Sequence, residues 1–232
     1  MTIRRAVIVG TVLLFALAGS AVAGKKQKTG TIEDNFYRDN LYGFTFEGFD
    51  NWKFSGIKKE DPEKPKPERF TLVQKNYQIP AERRENQEDY TPPTLGLWVD
   101  TCTLSIDSFA VEIANPKSKL KARKSLTEAF PTLRRASFVE QGRIQIDDAD
   151  GVIQQYRVQY EAQLYDRVSD HYSVIEEILL GDLYIVKRGD RIFAFFFRAE
   201  RHNYRQVKEE VTKMILSVDF DPAPPETEET GG

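Results

Sequence analysis

Apolar and polar positions alternate along much of this 232-residue chain, and the alternation gives way to helical spacing in a few places. Tyr42, Phe44 and Phe46 are separated by small or polar neighbours, as a half-buried strand requires. Trp52 and Phe54 open another strand after a short turn at Gly48 to Asn51, so residues 42–54 read as a hairpin. Residues 58–68 (KKEDPEKPKPE) hold three prolines and mixed charge, the composition of a solvated loop. Residues 70–73 read as a short strand. Residues 78–93 are polar and broken by Pro80, Pro92 and Pro93, a long excursion with room for one helical turn around residues 81–86. Residues 95–106 (LGLWVDTCTLSI) return to strand. Residues 107–114 stay open between two readings: Phe109, Val111 and Ile113 alternate, yet a short helix also fits. Residues 117–133 predict a helix with Ser118 as N-cap and with Leu120, Leu126, Phe130 and Leu133 on one broad face, shortened by Pro131.

The second half of the chain repeats the strand pattern. Residues 138–146 and 152–165 predict two strands joined by Asp147-Asp148-Ala149-Asp150-Gly151, with Asp150-Gly151 as the turn. A strand over residues 172–180 follows, then a hairpin of residues 183–187 and 192–197 around Arg188-Gly189-Asp190. Residues 192–197 (IFAFFF) are apolar on both faces, which places them in the middle of a sheet covered on both sides. Tyr204, Val207, Val211, Met214 and Ile215 form a single helical stripe that Asn203 can cap. Ser217 to Phe220 predict a last short strand.

The ends of the chain have other roles. Arg4 and Arg5, the apolar run of residues 6–18 and the small-x-small triplet Ala21-Val22-Ala23 predict a secretory signal peptide over residues 1–23. The run is shorter than the about 20 residues that a membrane span takes. Residues 24–34 begin GKKQKTGT and read as a flexible leader. Residues 221–232 (DPAPPETEETGG) hold no large apolar residue and predict a disordered acidic tail.

Composition narrows the function. Removing Arg4 and Arg5 takes the formal charge from −3 to −5, which argues against nucleic acid as a partner. With 30% charged and 12% aromatic residues, the rest is an ordinary folded protein. Cys102 is the only cysteine, so no internal disulfide forms, and the Ala23–Gly24 junction lacks the cysteine that lipid anchoring needs. The expectation is a protein exported through a cleaved signal peptide and soluble in the periplasm or outside the cell.

Asn40-Leu41-Tyr42-Gly43-Phe44-Thr45-Phe46 with Trp52 close behind resembles the opening of the PsbP/DcrB-like group. The closing aromatic strand (residues 193–197), amphipathic helix and Ser217-x-x-Phe220 are similar to how that group ends, so the resemblance covers residues 42–54 and 193–220. It departs in carrying Asp50-Asn51 before Trp52, where a proline is common. The resemblance implies an α+β fold: one domain over residues 35–220, an α/β/α sandwich with a central, mostly antiparallel sheet covered by helices on both faces. Residues 58–93 are then an insertion. Members of this group are mostly non-enzymatic subunits or binding proteins of membrane complexes and envelopes. The resemblance implies such a role here and carries over no functional residue.

Candidate chemistry is sparse. Cys102 with His171 or His202 as base would make a nucleophile, but Cys102 sits in an apolar strand pattern that reads as core. Two histidines and one cysteine supply a zinc site poorly. Asp147, Asp148 and Asp150 lack the spacing and the later glutamate of a calcium loop and fit a hairpin turn better. Arg188-Gly189-Asp190 matches the adhesion tripeptide, but Gly-Asp is also what a hairpin turn wants. No nucleophile elbow, Walker loop, dinucleotide fingerprint or zinc-protease motif occurs, and no cofactor is expected. Lys117, Lys119, Lys121, Arg123, Lys124, Arg134 and Arg135 form a basic stretch opposed only by Glu128. It is the expected partner-binding surface, for an acidic protein or an anionic membrane. The alternatives are an envelope hydrolase using a carboxylate pair, and a small-ligand carrier whose hollow is lined by Trp98, Phe195 and Tyr184.

Overall fold

The computed structural model describes residues 27–55, 59–77, 92–166 and 169–220. The signal segment, residues 24–26 of the leader, residues 81–86 and the acidic tail lie outside the described residues. The elements, in order, are β1 (Gln27–Lys28), β2 (Gly30–Glu33), β3 (Phe36–Asp39), β4 (Phe44–Glu47), β5 (Trp52–Ser55), β6 (Lys59–Glu60), β7 (Glu68–Gln74) and β8 (Thr94–Thr101). Then come α1 (Ile106–Ala114), α2 (Lys121–Ala129), a 3-10 turn (Pro131–Arg135), β9 (Ser137–Ile146), β10 (Ala149–Asp166), β11 (His171–Arg188), β12 (Arg191–Glu200) and α3 (Tyr204–Leu216). The fold is α+β. Among the described residues, seven strands form one antiparallel sheet in the order β5-β7-β8-β12-β11-β10-β9, and β2-β3-β4 form a smaller one.

β12 takes the central place, as its two-sided apolar pattern demands. Phe193, Phe195 and Phe197 join a core shared with Tyr37, Phe44 and Phe46 of the small sheet and with the α3 stripe of Tyr204, Val207, Val211, Met214 and Ile215. Ile192, Ala194 and Phe196 join a second core with Phe109 and Ile113 of α1, Leu126 of α2, and Leu133. All of the α3 stripe is buried, so helical period and tertiary packing agree there.

Several sequence expectations change. Residues 42–54 are not a hairpin: β4 pairs with β3 in the small sheet, and β5 pairs with β7 in the large one. The expected leader contains β1 and β2, and β6 in the proline-rich loop pairs with β1. Residues 107–113 are helical. Ser105 caps α1 through a 3.2 Å bond from the Ser108 N–H, and Val111, which would alternate inward in a strand, is 62% exposed. The helix expected over residues 117–133 is α2 followed by the 3-10 turn. Ser118 does not cap it; its hydroxyl donates to Glu112 and accepts from the Leu120 N–H at 3.1 Å. Asn203 stands at the α3 N-cap without a side-chain cap bond. Ser217 to Phe220 contribute a single bridge, Thr45 to Asp219, in place of a strand.

Two glycines explain the remaining differences. The turn between β9 and β10 is Asp147-Asp148, with Asp147 at φ 55°, and Gly151 lies inside β10. A Cβ there would meet Ile144 Cγ2 at 2.8 Å and the Ile185 carbonyl at 3.0 Å. Residues 172–180 and 183–187 are one strand, β11, because Gly181 does not break it. The Tyr156 ring crosses above Gly181 and donates its hydroxyl to the Phe197 carbonyl at 2.7 Å, and a Cβ at position 181 would run into both. Gly189 (φ 58°) does serve a two-residue turn, between Arg188 and Arg191 as expected.

One buried ion cluster ties the small sheet to the large one. Arg69 of β7, 4% exposed, donates to Asp39 at 2.8 Å, Glu60 at 2.6 Å, Thr29 Oγ1 at 2.7 Å and the Lys66 carbonyl at 3.0 Å. Asp39 also accepts from the Tyr37 hydroxyl at 2.6 Å and from the N–H groups of Leu41 and Tyr42. Removing one partner leaves buried charge uncompensated. Arg69→Met is therefore expected to lower unfolding stability by about 3–5 kcal/mol in urea titration. A loss within about 1 kcal/mol, the level of an exposed pair, would show that the cluster is dispensable.

Glu60 adds a pH dependence. Burial raises its pKa, but bonds from Thr29, the Lys66 N–H and Arg69 outweigh that and hold it below the usual 4.5. A depressed folded pKa gives stability that is present above 4.5 and lost as the pH falls through the folded value. Glu60→Gln should flatten the acid limb of a stability-against-pH curve below that point. An unchanged limb would assign it to other carboxylates.

Candidate functional site

The basic stretch divides into parts with different jobs. Lys117 and Lys119 lie in the connection between α1 and α2, Lys121 opens α2, and Arg134 and Arg135 end the 3-10 turn; all five are exposed. None of the five has an ion-pair partner among the described residues. Lys124 reaches Glu128 at 4.0 Å with both side chains mostly in solvent, a pair of little energetic consequence. Arg123 belongs to the fold: its Nε donates to the Ile113 carbonyl at 3.1 Å, at the C-terminal end of α1.

Behind this surface lies a cation that the sequence reading did not single out. Arg198, near the end of β12, donates from Nη1 to Thr132 Oγ1 at 2.7 Å, which holds it against the 3-10 turn. Its Nε is shielded from solvent without a partner, and no carboxylate pairs with it among the described residues. Burial pulls its guanidinium below the ordinary value, while the Tyr156 and Tyr160 phenols act the other way. An arginine stays charged under such a shift. The one sequence signal was its place as the first charged residue after IFAFFF.

Arg135 borders a groove of about 800 Å³ with Gln159, Tyr160, Glu161, Val174 and Glu176. The groove sits where β10 and β11 outrun their neighbours. β9 pairs with β10 only as far as Arg157, and β12 pairs with β11 only from Leu179, so residues 159–166 and 171–178 pair mainly with each other, apart from the Arg201 N–H bond to the Ile178 carbonyl at 3.1 Å. Glu161 and Glu176 are direct cross-strand neighbours on this arm. They stand side by side and do not face each other across a cleft as a hydrolytic carboxylate pair would.

The other sequence candidates separate in space. Cys102, 7% exposed, belongs to the core under α1 and α2, and its N–H donates to the Asp190 carbonyl at 2.8 Å, beside the turn that starts β12. His202 follows the far end of β12, and His171 starts β11 at the far end of the arm, so neither is placed to act as base for Cys102. Trp98 lies in one core, Phe195 and Tyr184 in the other, all fully buried, so they line no common hollow. Asp147 accepts from the Phe220 N–H at 3.2 Å and Asp148 pairs with Arg188. No group of three or more His, Cys, Asp or Glu is placed to hold a metal ion among the described residues. Arg188 of the adhesion-like tripeptide also lies 5.3 Å over the Phe220 ring, engaged within the fold.

Buried Asp182 is likewise structural. It accepts from the Tyr204 hydroxyl at 2.6 Å and from Lys208 at 3.0 Å, and Gln155 donates to the same Tyr204 oxygen at 2.9 Å. Burial, reinforced by the Asp182 carboxylate, pushes the Tyr204 phenol well up, so it remains a proton donor that pins α3 to the sheet.

No family model matches the chain, and no curated protein matches it. Several solved structures are similar to it, three of which follow. Cyanobacterial PsbP (CyanoP) from Synechocystis sp. PCC 6803 is 10% identical with a TM-score of 0.43, over 88% of this chain and 98% of that one. LpqN, involved in cell envelope biogenesis of Mycobacterium tuberculosis, is 8% identical with a TM-score of 0.39, over 75% of this chain and 81% of that one. A protein of Bacteroides thetaiotaomicron VPI-5482 is 10% identical with a TM-score of 0.37, over 81% of this chain and 48% of that one. Among the described residues, no helix is long and apolar enough to cross a membrane.

The placement of Cys102 is directly measurable. Its thiol should react with an aromatic disulfide reagent slower in the native protein than in urea by on the order of a hundredfold or more, because reaction needs local opening. Equal rates would place it at the surface.

Proposed function

We propose that this chain is an exported, non-catalytic binding protein, an α/β/α sandwich of the PsbP-like kind, that docks an acidic protein partner in the cell envelope. The docking surface is the stretch around α2 and the 3-10 turn. The observation that carries this reading is Arg198, a shielded guanidinium bonded to Thr132 in the basic 3-10 turn, with no counter-charge among the described residues. By contrast, buried Arg69 meets two carboxylates and buried Asp182 meets Lys208. A run of basic residues beside a shielded arginine that has no counter-charge among the described residues, in a chain that carries a net negative charge overall, supports a partner that supplies anions. Arg123 is left out of the docking set because α1 uses it.

The test is capture of partners from envelope extract by the wild-type protein and by Lys121→Glu/Arg134→Glu/Arg135→Glu. The reversed surface should lose the captured protein, with an on-rate lowered by roughly tenfold or more, and wild-type capture should weaken as salt is added. Equal recovery by both proteins sinks the proposal. Binding of the wild type to anionic vesicles with no protein captured would transfer the surface to lipid.

A further inference from the structure

On the opposite face of the sheet, the ends of β5 and β7 and the start of α3 enclose a cleft of about 600 Å³, within the roughly 300–1,000 Å³ range of small-ligand sites. Helical spacing places Asn203, Gln206 and Glu210 on one side of α3, at steps of three and four, and all three line the cleft. Asn51 and Gln74 line the other wall. Residues more than 120 positions apart thus build one concave surface, and none of it was legible as a motif.

The cleft holds polar capacity that the fold does not use. Asn203 has both its Oδ1 and its Nδ2 shielded and unpartnered, and Gln74 has its Oε1 in the same state. An asparagine at an N-cap ordinarily gives its oxygen to the first helical turn, and here it does not. Buried polar atoms left without partners are unfavourable and uncommon, so two side chains of this kind on one cleft single it out. The surrounding groups are held in place. Glu210 accepts from the Trp52 indole N–H at 3.2 Å and from Asn51 at 3.1 Å. The Tyr77 hydroxyl lies 2.5 Å from His202 Nε2, and His202 Nδ1 lies 3.5 Å from the buried Glu200 carboxylate.

We infer that this cleft binds a neutral saccharide. A carboxamide is donor and acceptor at once, as is a sugar hydroxyl, and Asn51, Gln74, Asn203 and Gln206 bring four of them. The cleft's one lysine and one glutamate, Lys75 and Glu210, balance, which disfavours a charged ligand. Tyr77 also lines the cleft, beside His202, and adds aromatic character to its wall. Binding requires Asn203 and Gln74 to turn these shielded atoms toward the ligand. This site is independent of the basic surface, which belongs to the other core.

The two tryptophans make the test internal to the protein. The Trp52 indole N–H touches Glu210 in the cleft, and the Trp98 indole N–H is bonded to Ser125 at 3.1 Å on the opposite face. Maltotriose, cellotriose and chitotriose are titrated into ¹⁵N-labelled full-length mature protein. At least one should shift the Trp52 indole peak saturably while the Trp98 peak stays in place. Asn203→Ala/Gln206→Ala should weaken that binding by roughly tenfold, the loss of a hydrogen bond or two, with the Trp98 peak unchanged. Asn203→Ala alone should leave the Tm level or higher, since it removes unmet polar atoms. The inference is overturned if none of the three sugars moves Trp52 at millimolar concentration, if binding survives the double substitution, or if a capped trialanine peptide binds in their place.

Discussion

The Arg69 cluster is the constraint on which the rest of this structure depends. The central strands of the seven-stranded sheet are apolar on both faces, so both faces must be covered there. On one face the cover includes a small sheet of short strands, too little to hold itself together in water. Asp39 at the end of β3 and Arg69 on β7 join the two sheets through a charge pair out of contact with solvent. Such a pair is tolerable only when every hydrogen-bonding group is used. Here Asp39 receives four donors, and Arg69 meets two carboxylates, a hydroxyl and a carbonyl. Tyr42 extends the clamp, with the guanidinium groups of Arg69 and Arg191 at 5.0 and 4.9 Å from its ring centre. Through Arg191 the clamp reaches the start of β12, and so the centre of the large sheet.

What could be read in advance follows from how local each decision is. Residues 192–197 declared a central strand because both faces are apolar, and Gly189-Asp190 declared a turn because positive φ is a local demand. The α3 stripe was legible because five residues in helical register say which face is buried. Strand partnership was not legible. Phe44 and Trp52 are close in sequence and both suit strands, yet β4 and β5 belong to different sheets because Asp39 and Arg69 meet 30 residues apart. Gly151 reads as a turn and the strand reading stops just before Gly181, but the lack of a side chain at both answers a crowded neighbour inside a strand, and the neighbour is known only from the fold.

The same reasoning separates structural from available polar groups. Arg69 and Arg198 are both withdrawn from water, and burial disfavours the charge of each. At Arg69 the carboxylates of Asp39 and Glu60 more than offset it, and its pKa rises; at Arg198 nothing of the kind is present, and its pKa falls. Asp182 on β11, facing the first turn of α3, and Asn203 at the start of that turn make a parallel contrast. Asp182 is saturated by Tyr204 and Lys208, whereas Asn203, the residue just before Tyr204, leaves its whole amide unmet. Sequence alone cannot rank these residues, because each is one polar side chain in an otherwise apolar neighbourhood. What distinguishes them is the inventory of partners around each.

That inventory leaves two open surfaces, and the layer between them decides how they relate. The basic surface stands on α2 and the 3-10 turn, packed through Leu126, Phe130 and Leu133 onto one face of the sheet. The cleft stands on α3, packed through Val207, Val211 and Ile215 onto the other. β8, β12 and β11 run between, filled with aromatic side chains such as the Phe130–Phe196 stack, whose ring centres are 4.6 Å apart. A densely packed sheet of this kind transmits a shift from one face to the other only if its side chains have a second arrangement. The strands here are paired without interruption across the centre, and Tyr156 is locked over Gly181 by its bond to the Phe197 carbonyl. The two proposed surfaces are therefore expected to be independent of each other, with changes made on opposite faces combining additively.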